Sequence, residues 1–156
     1  MKKSEKIISE FFKPYFEKYP QMDSIWFGIY DFNDNVYLYE EDYGINGLHY
    51  DDLRDKKMID SSDKIQDAIF SLMQSKCDVA NVIEDLQKLV LKLRKDADDS
   101  NPLRKVLDDV WNDDIIEKLT KKVSKHLAKE IPWKYVKWCQ CNVNRDGSVK
   151  IDEYQR

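Results

Sequence analysis

The chain has little of what punctuates or cross-links a fold. Its 156 residues include only 4 glycines, 4 prolines, 3 cysteines and 2 histidines. So little Gly and Pro excludes collagen-like, elastic and loop-dominated chains. The four glycines do not form G-x-x-x-x-G-K or G-x-G-x-x-G, so no phosphate-cradling loop is expected. An odd cysteine count argues against a secreted disulfide scaffold. Cys139 and Cys141 form C-x-C, which on a strand turns both thiols to one face as small apolar side chains. His49 and His126 lie too far apart for zinc-finger spacing, and no metal or cofactor is expected. No apolar run reaches the roughly 18 residues of a spanning helix. The first residues, Met1-Lys2-Lys3-Ser4-Glu5-Lys6, carry lysines without an apolar segment behind them, so a cytoplasmic location is expected.

Hydrophobic residues make up 42% of the chain, charged residues 36% and aromatic residues 12%. That is enough apolar material for one core, and residues 1–156 read as a single domain. Ile8, Phe11, Phe12, Tyr15, Phe16 and Tyr19 recur at helical spacing, with Pro14 expected to kink or split that helix. Ile25–Tyr30 and Val36–Tyr39 are rich in β-branched and aromatic residues. The turn formers Asp31–Asn35 between them predict a hairpin. From Asp42 to Asp60 no period is clear, and a loop is expected, with room for one short strand or helical turn. Ser62–Lys95 is helical in pattern, with a break at Cys77-Asp78 and Asp78 as N-cap of a second helix. Asp96–Asn101 reads as a polar loop. Asn101 before Pro102 starts a further helix, and Asn112 or Asp113 starts another that runs to about Glu130. Tyr135–Val143, the turn Asn144-Arg145-Asp146-Gly147 and Ser148–Asp152 predict a second hairpin. The order α-ββ-ααα(α)-ββ predicts an α+β fold: an antiparallel sheet of about four strands with helices packed on one face.

Thirty acidic and 26 basic side chains leave a net charge of −4, but they are unevenly placed. Residues 21–60 carry −7 and residues 118–156 carry +6. The acidic block falls on the first hairpin and the irregular stretch after it, interleaved with tyrosines. Acid steers a basic partner and tyrosine anchors it. The candidate partner-binding residues are Asp31, Asp34, Tyr39, Glu40, Glu41, Asp42, Tyr43, Asp51, Asp52 and Asp55. Lys118, Lys121, Lys122, Lys125 and Lys129 share a helix face and offer a nucleic-acid alternative, more simply read as lysines matched to a helix dipole. Asn142–Glu153 fits most of an EF-hand loop, with Gly147 and Glu153 in place but Asn142 where Asp is usual. A calcium-binding module using Asn142, Asn144, Asp146 and Glu153 is therefore a further alternative to a plain hairpin turn. No nucleophile elbow or histidine-based triad stands out, and an enzyme is not expected.

The C-terminal pattern Trp138, Val143, Asp146-Gly147, Val149, Ile151-Asp152 and Tyr154, with Tyr37-Leu38-Tyr39 in support, resembles the bacterial YezG-like immunity proteins. The resemblance covers about a third of the chain. It implies a small cytoplasmic protein that binds and blocks a cognate toxin. The acidic, tyrosine-bearing block, read by itself, points to a basic partner such as a nuclease, whose cleft must be positive. The helical middle, Ser62–Glu130, is longer than that family suggests.

Overall fold

Alternation along the aromatic-rich segments builds the centre of the sheet. The computed structural model describes all 156 residues and is α+β. In chain order the elements are α1 (Lys3–Lys18), β1 (Ser24–Phe32), β2 (Asn35–Ile45), β3 (Leu48–His49), a 3-10 turn (Tyr50–Leu53), α2 (Lys56–Met73), α3 (Ala80–Asp99), α4 (Pro102–Val110), α5 (Asp113–Glu130), β4 (Val136–Asn144) and β5 (Val149–Gln155). The strands form one antiparallel sheet in the order β3-β2-β1-β4-β5. The chain divides into two compact units, residues 1–50 with 106–156, and residues 51–105. No helix is long and apolar enough to cross a membrane.

The first unit holds the sheet. On β1, Ile25, Phe27 and Ile29 are buried on one face, opposite Leu38 of β2 and Cys139, Cys141 and Val143 of β4. α1 lays Ile8, Phe12 and Phe16 on that face. Trp111 joins them, its ring stacked on Phe27 at 4.4 Å and its indole N–H donating to the Tyr39 carbonyl at 3.1 Å. α5 buries Ile115, Ile116, Leu119, Val123 and Leu127. Its N-cap is Asn112, whose side chain accepts from the Ile115 N–H, as expected from sequence. Asn101 likewise accepts from the Leu103 N–H ahead of Pro102.

The first hairpin turns on Asn33 and Asp34 alone, both with positive φ (51° and 63°), the pair of left-handed residues that a two-residue turn requires. The second turns through Gly147 at φ +89°. Its Asp146 carboxylate accepts from the Ser148 N–H and hydroxyl, which hold it below the usual carboxylate range. Arg145 reaches back across the fold. Its guanidinium donates to the carbonyls of Phe16 and Tyr19, both at 2.8 Å, of Pro20 at 3.0 Å and of Met22. The end of α1 is thereby closed by a side chain 129 residues away.

The second unit is built on a helical hairpin. Asp55 caps α2 by accepting from the Met58 N–H at 3.2 Å, and its own N–H donates to the Ala97 carbonyl. Arg54 pairs with Asp98 at 2.5 Å, and Arg94 with Asp63 at 3.5 Å. Leu53, Ile69, Val90 and Ala97 are its buried apolar residues.

Several expectations need correction. The sheet has five strands, because Asn46 and Gly47, both at positive φ, turn the presumed loop into the β2–β3 hairpin. α1 is not split at Pro14. That residue and Glu10, whose carbonyl loses its helical donor, are both exposed, so water satisfies the gap. α2 begins at Lys56, six residues before the expected Ser62, because Asp55 caps it. The N-cap of α3 is Val79 instead of Asp78, and α3 runs through the presumed loop to Asp99.

Burial pushes the Cys139 thiol up to about 12 and raises that of Cys141 as well, while Cys77 is exposed. A thiol reagent at neutral pH should therefore label one cysteine per native chain and three after denaturation; fast labelling of three in the native protein would contradict this packing. Replacing Arg145 by Met should cost roughly 2 kcal/mol in a denaturant titration, with Lys recovering only part, since an ammonium cannot fork to four carbonyls.

Candidate functional site

The face of β1 turned away from α1 carries Trp26, Gly28 and Tyr30, and their neighbours define the site. Tyr30 lies opposite Tyr37 on β2 and opposite Trp138 on β4. Its ring is stacked on Tyr37 at 5.5 Å and packs against Tyr39 at 4.4 Å, so it sits between the two. Farther along, Trp138 stacks on Tyr154 at 4.0 Å. Tyr37 is 39% and Tyr154 41% exposed. The sheet thus shows a row of aromatic rings on this face, each tyrosine able to keep its hydroxyl in water. Burial first, then Tyr39, Glu40 and Tyr37, raise the Tyr30 hydroxyl above the ordinary phenol value, so it remains a protonated donor.

A wide bulge places the acids beside these rings. Phe27 pairs with Tyr43 and Ile29 with Leu38, so the single residue Gly28 on β1 faces the four residues Tyr39–Asp42 on β2. A Cβ at position 28 would come within 2.5 Å of the Tyr39 ring. The missing side chain is what lets that ring lie on the strand. On the other side of β2, the Trp111 indole holds the Tyr39 carbonyl. Between these two anchors Glu40 and Glu41 stand exposed.

The other candidate residues are distributed differently. Asp34 is exposed in the first turn and Asp31 is partly covered near the end of β1. Asp42 lies 3.7 Å from His49. Tyr43 lies opposite Phe27, on the helix side of the sheet; it stacks on Tyr50 at 4.7 Å and approaches Trp111 at 6.3 Å. Asp51, Asp52 and Asp55 belong to the second unit, where Asp52 pairs with Lys56 at 3.5 Å and Asp55 caps α2. The residues brought together in the first unit are therefore Asp34, Tyr39, Glu40 and Glu41, joined by Tyr30 and Tyr37. Tyr30 was legible as a strand aromatic, but its place between Tyr37 and Tyr39 depends on the hairpin register.

The two alternatives meet specific geometry. Asn142 faces Lys150 and lies on the same sheet face as Trp26, whereas Glu153 pairs with Cys139 on the opposite face. These strand positions do not converge on one ion. No group of three or more His, Cys, Asp or Glu side chains is placed to hold a metal. On α5, Lys118 and Lys121 are paired with Asp114 at 3.0 Å and Glu117 at 2.9 Å. Comparison of the chain with family models, characterised proteins and solved structures finds no match.

Gly28→Ala should destabilise the fold by about 1–3 kcal/mol, the usual cost of overpacking. It should also move the ring resonances of Tyr39 and Tyr30 in NMR spectra. An unshifted pair of rings would show that the glycine does not set this site.

Proposed function

We propose that the chain is a non-enzymatic, protein-binding inhibitor of the immunity type, which neutralises a basic toxin domain. The observation that carries this reading is the stack of Tyr37, Tyr30 and Tyr39 beside the exposed Glu40 and Glu41. Rigid aromatic area supplies anchoring, and adjacent carboxylates attract a positive surface and suppress wrong partners. A nuclease suits this surface, because its substrate cleft must be positive to hold a phosphate backbone. The resemblance of the C-terminal hairpin to YezG-like immunity proteins agrees with the same role. The buried thiols of Cys139 and Cys141 fit work in a reducing, cytoplasmic setting.

Co-expression with the product of the adjacent reading frame tests this directly. The chain should protect growth and bind that product, with association slowing as salt rises. Reversing Glu40 and Glu41 to Lys should lower the association rate about tenfold at low ionic strength. Reversing the exposed Asp78 and Asp85 should leave it nearly unchanged. Equal effects of the two pairs would remove the site assignment, and neither protection nor binding would remove the function.

A further inference from the structure

β2 is an open edge over much of its length. One side bonds to β1, while on the other side β3 covers only Gly44 and Ile45. From Asn35 to Asp42 no strand lies beside it, and the Tyr39 carbonyl alone is taken, by Trp111. An unpaired edge of this kind is a template for another extended chain.

Along this edge runs a groove. Two cavities of about 310 and 440 Å³ both include Tyr37 and Thr120 in their walls, so they join end to end. One wall is β2 from Asp34 to Glu40, and the other is α5 from Asp113 to Ala128. Val36, Leu38 and Ile116 give it an apolar lining. Its charged residues are Asp34, Glu40, Asp113 and Glu117 against Lys121 and Lys125. Glu117 and Lys121 are bonded to each other at 2.9 Å. The excess is therefore carboxylate, and it gathers at the Glu40 and Asp113 end.

We infer that this groove receives an extended basic segment of the partner protein, which adds to β2 as a sixth strand and lies against α5. The reading rests on the protein-binding function proposed above and names its docking mode. Strand addition uses main-chain bonds for attachment and alternate side chains for selection. Here the residues facing the groove would be apolar, with an Arg or Lys at the end nearest Glu40. Asn35–Glu40 spans about 20 Å at strand rise, which suits a segment of roughly six residues.

The test uses the full chain and the peptide Ac-Arg-Val-Arg-Val-Arg-Val-NH2, followed by amide hydrogen exchange and NMR. Controls are the same peptide with Glu for Arg, and forms N-methylated at every second residue in either register. The basic peptide should protect amides between Asn35 and Glu40 and shift the Tyr37 ring. It should bind about tenfold more tightly than the Glu peptide and than at least one N-methylated form. Thr120→Arg, which fills the groove where the two cavities meet, should abolish protection, and Thr120→Val should preserve it. Equal binding of all N-methylated forms, protection confined to the other edge strand β5, or no protection at all would each overturn the docking mode. If the docking mode fails while Glu40 and Glu41 reversal still slows association with the basic partner, the inhibitor function stands without it. If peptide docking holds while the partner fails to bind, the function falls and the groove remains.

Discussion

A tyrosine ring resting on a glycine governs the aromatic face of the sheet. β1 is the central strand, and position 28 is the only one along it without a side chain. Tyr39 occupies that space, and its carbonyl is held by the Trp111 indole from the core side. With Tyr39 fixed at both ends, the three residues after it have no partners on β1 and must leave the ladder. A buried amide without a partner would cost roughly 1–3 kcal/mol. Glu40 and Glu41 are exposed, so water takes that role. Aromatic packing of Tyr39 on Tyr30, worth about 0.5–1.5 kcal/mol beyond area burial, offsets the lost ladder bonds. The same contact thus produces the bulge, the tyrosine stack and the outward acids.

The two faces of β1 show how the strand period separates a dry core from a partly exposed aromatic face. Odd-numbered positions Ile25, Phe27 and Ile29 are wholly buried, and Phe27 sits in a cluster with Phe12 and Trp111. Even-numbered positions Trp26 and Tyr30 are only partly covered and join His49, Tyr37 and Tyr39. Phenylalanine serves the dry cluster, and tyrosine fills the stack at the wet face. That division follows from the hydroxyl, which is costly to bury unpaired and favourable in water.

The sequence carried the local signals well and the long-range ones poorly. Asn101-Pro102, Asn112 and the two hairpin turns were legible because capping and turn chemistry act within a few residues. The β2–β3 hairpin reads in sequence as a loop with room for a short strand, because the two-residue strand after Asn46-Gly47 is too short to show a period. The charged end of α3, Asp96 to Asp99, looked like a loop by composition. It stays helical, with Arg54 pairing with Asp98 and the Ala97 carbonyl accepting from the Asp55 N–H. Arg145 looked like a turn residue and its four carbonyl partners were invisible, because they lie 123 to 129 residues earlier. The acidic block was read correctly as composition but not as a surface. Asp55 went to a helix cap, Asp42 to His49 and Asp52 to Lys56, which leaves Glu40 and Glu41 as the acids placed beside exposed tyrosines.

The two edges of the sheet are treated differently, and the difference bears on the proposed docking mode. β5 reads Val149-Lys150-Ile151-Asp152-Glu153-Tyr154-Gln155. Lys150 and Asp152 bridge each other at 3.4 Å on one face, and the exposed Glu153 adds a charge on the other. Charges along an edge oppose pairing with another chain. The first five residues of the open stretch of β2, Asn35-Val36-Tyr37-Leu38-Tyr39, carry no charge, and its acids Glu40, Glu41 and Asp42 follow at one end. In a chain with 36% charged residues, five uncharged ones in a row on an exposed edge are a liability unless something covers them. α5 covers the buried sides of Val36 and Leu38 but leaves a groove between itself and the strand. Carboxylates concentrate at one end of that groove, where they repel acidic chains and attract basic ones. On the proposed reading, a surface protected only against the wrong charge suits a partner of the right one.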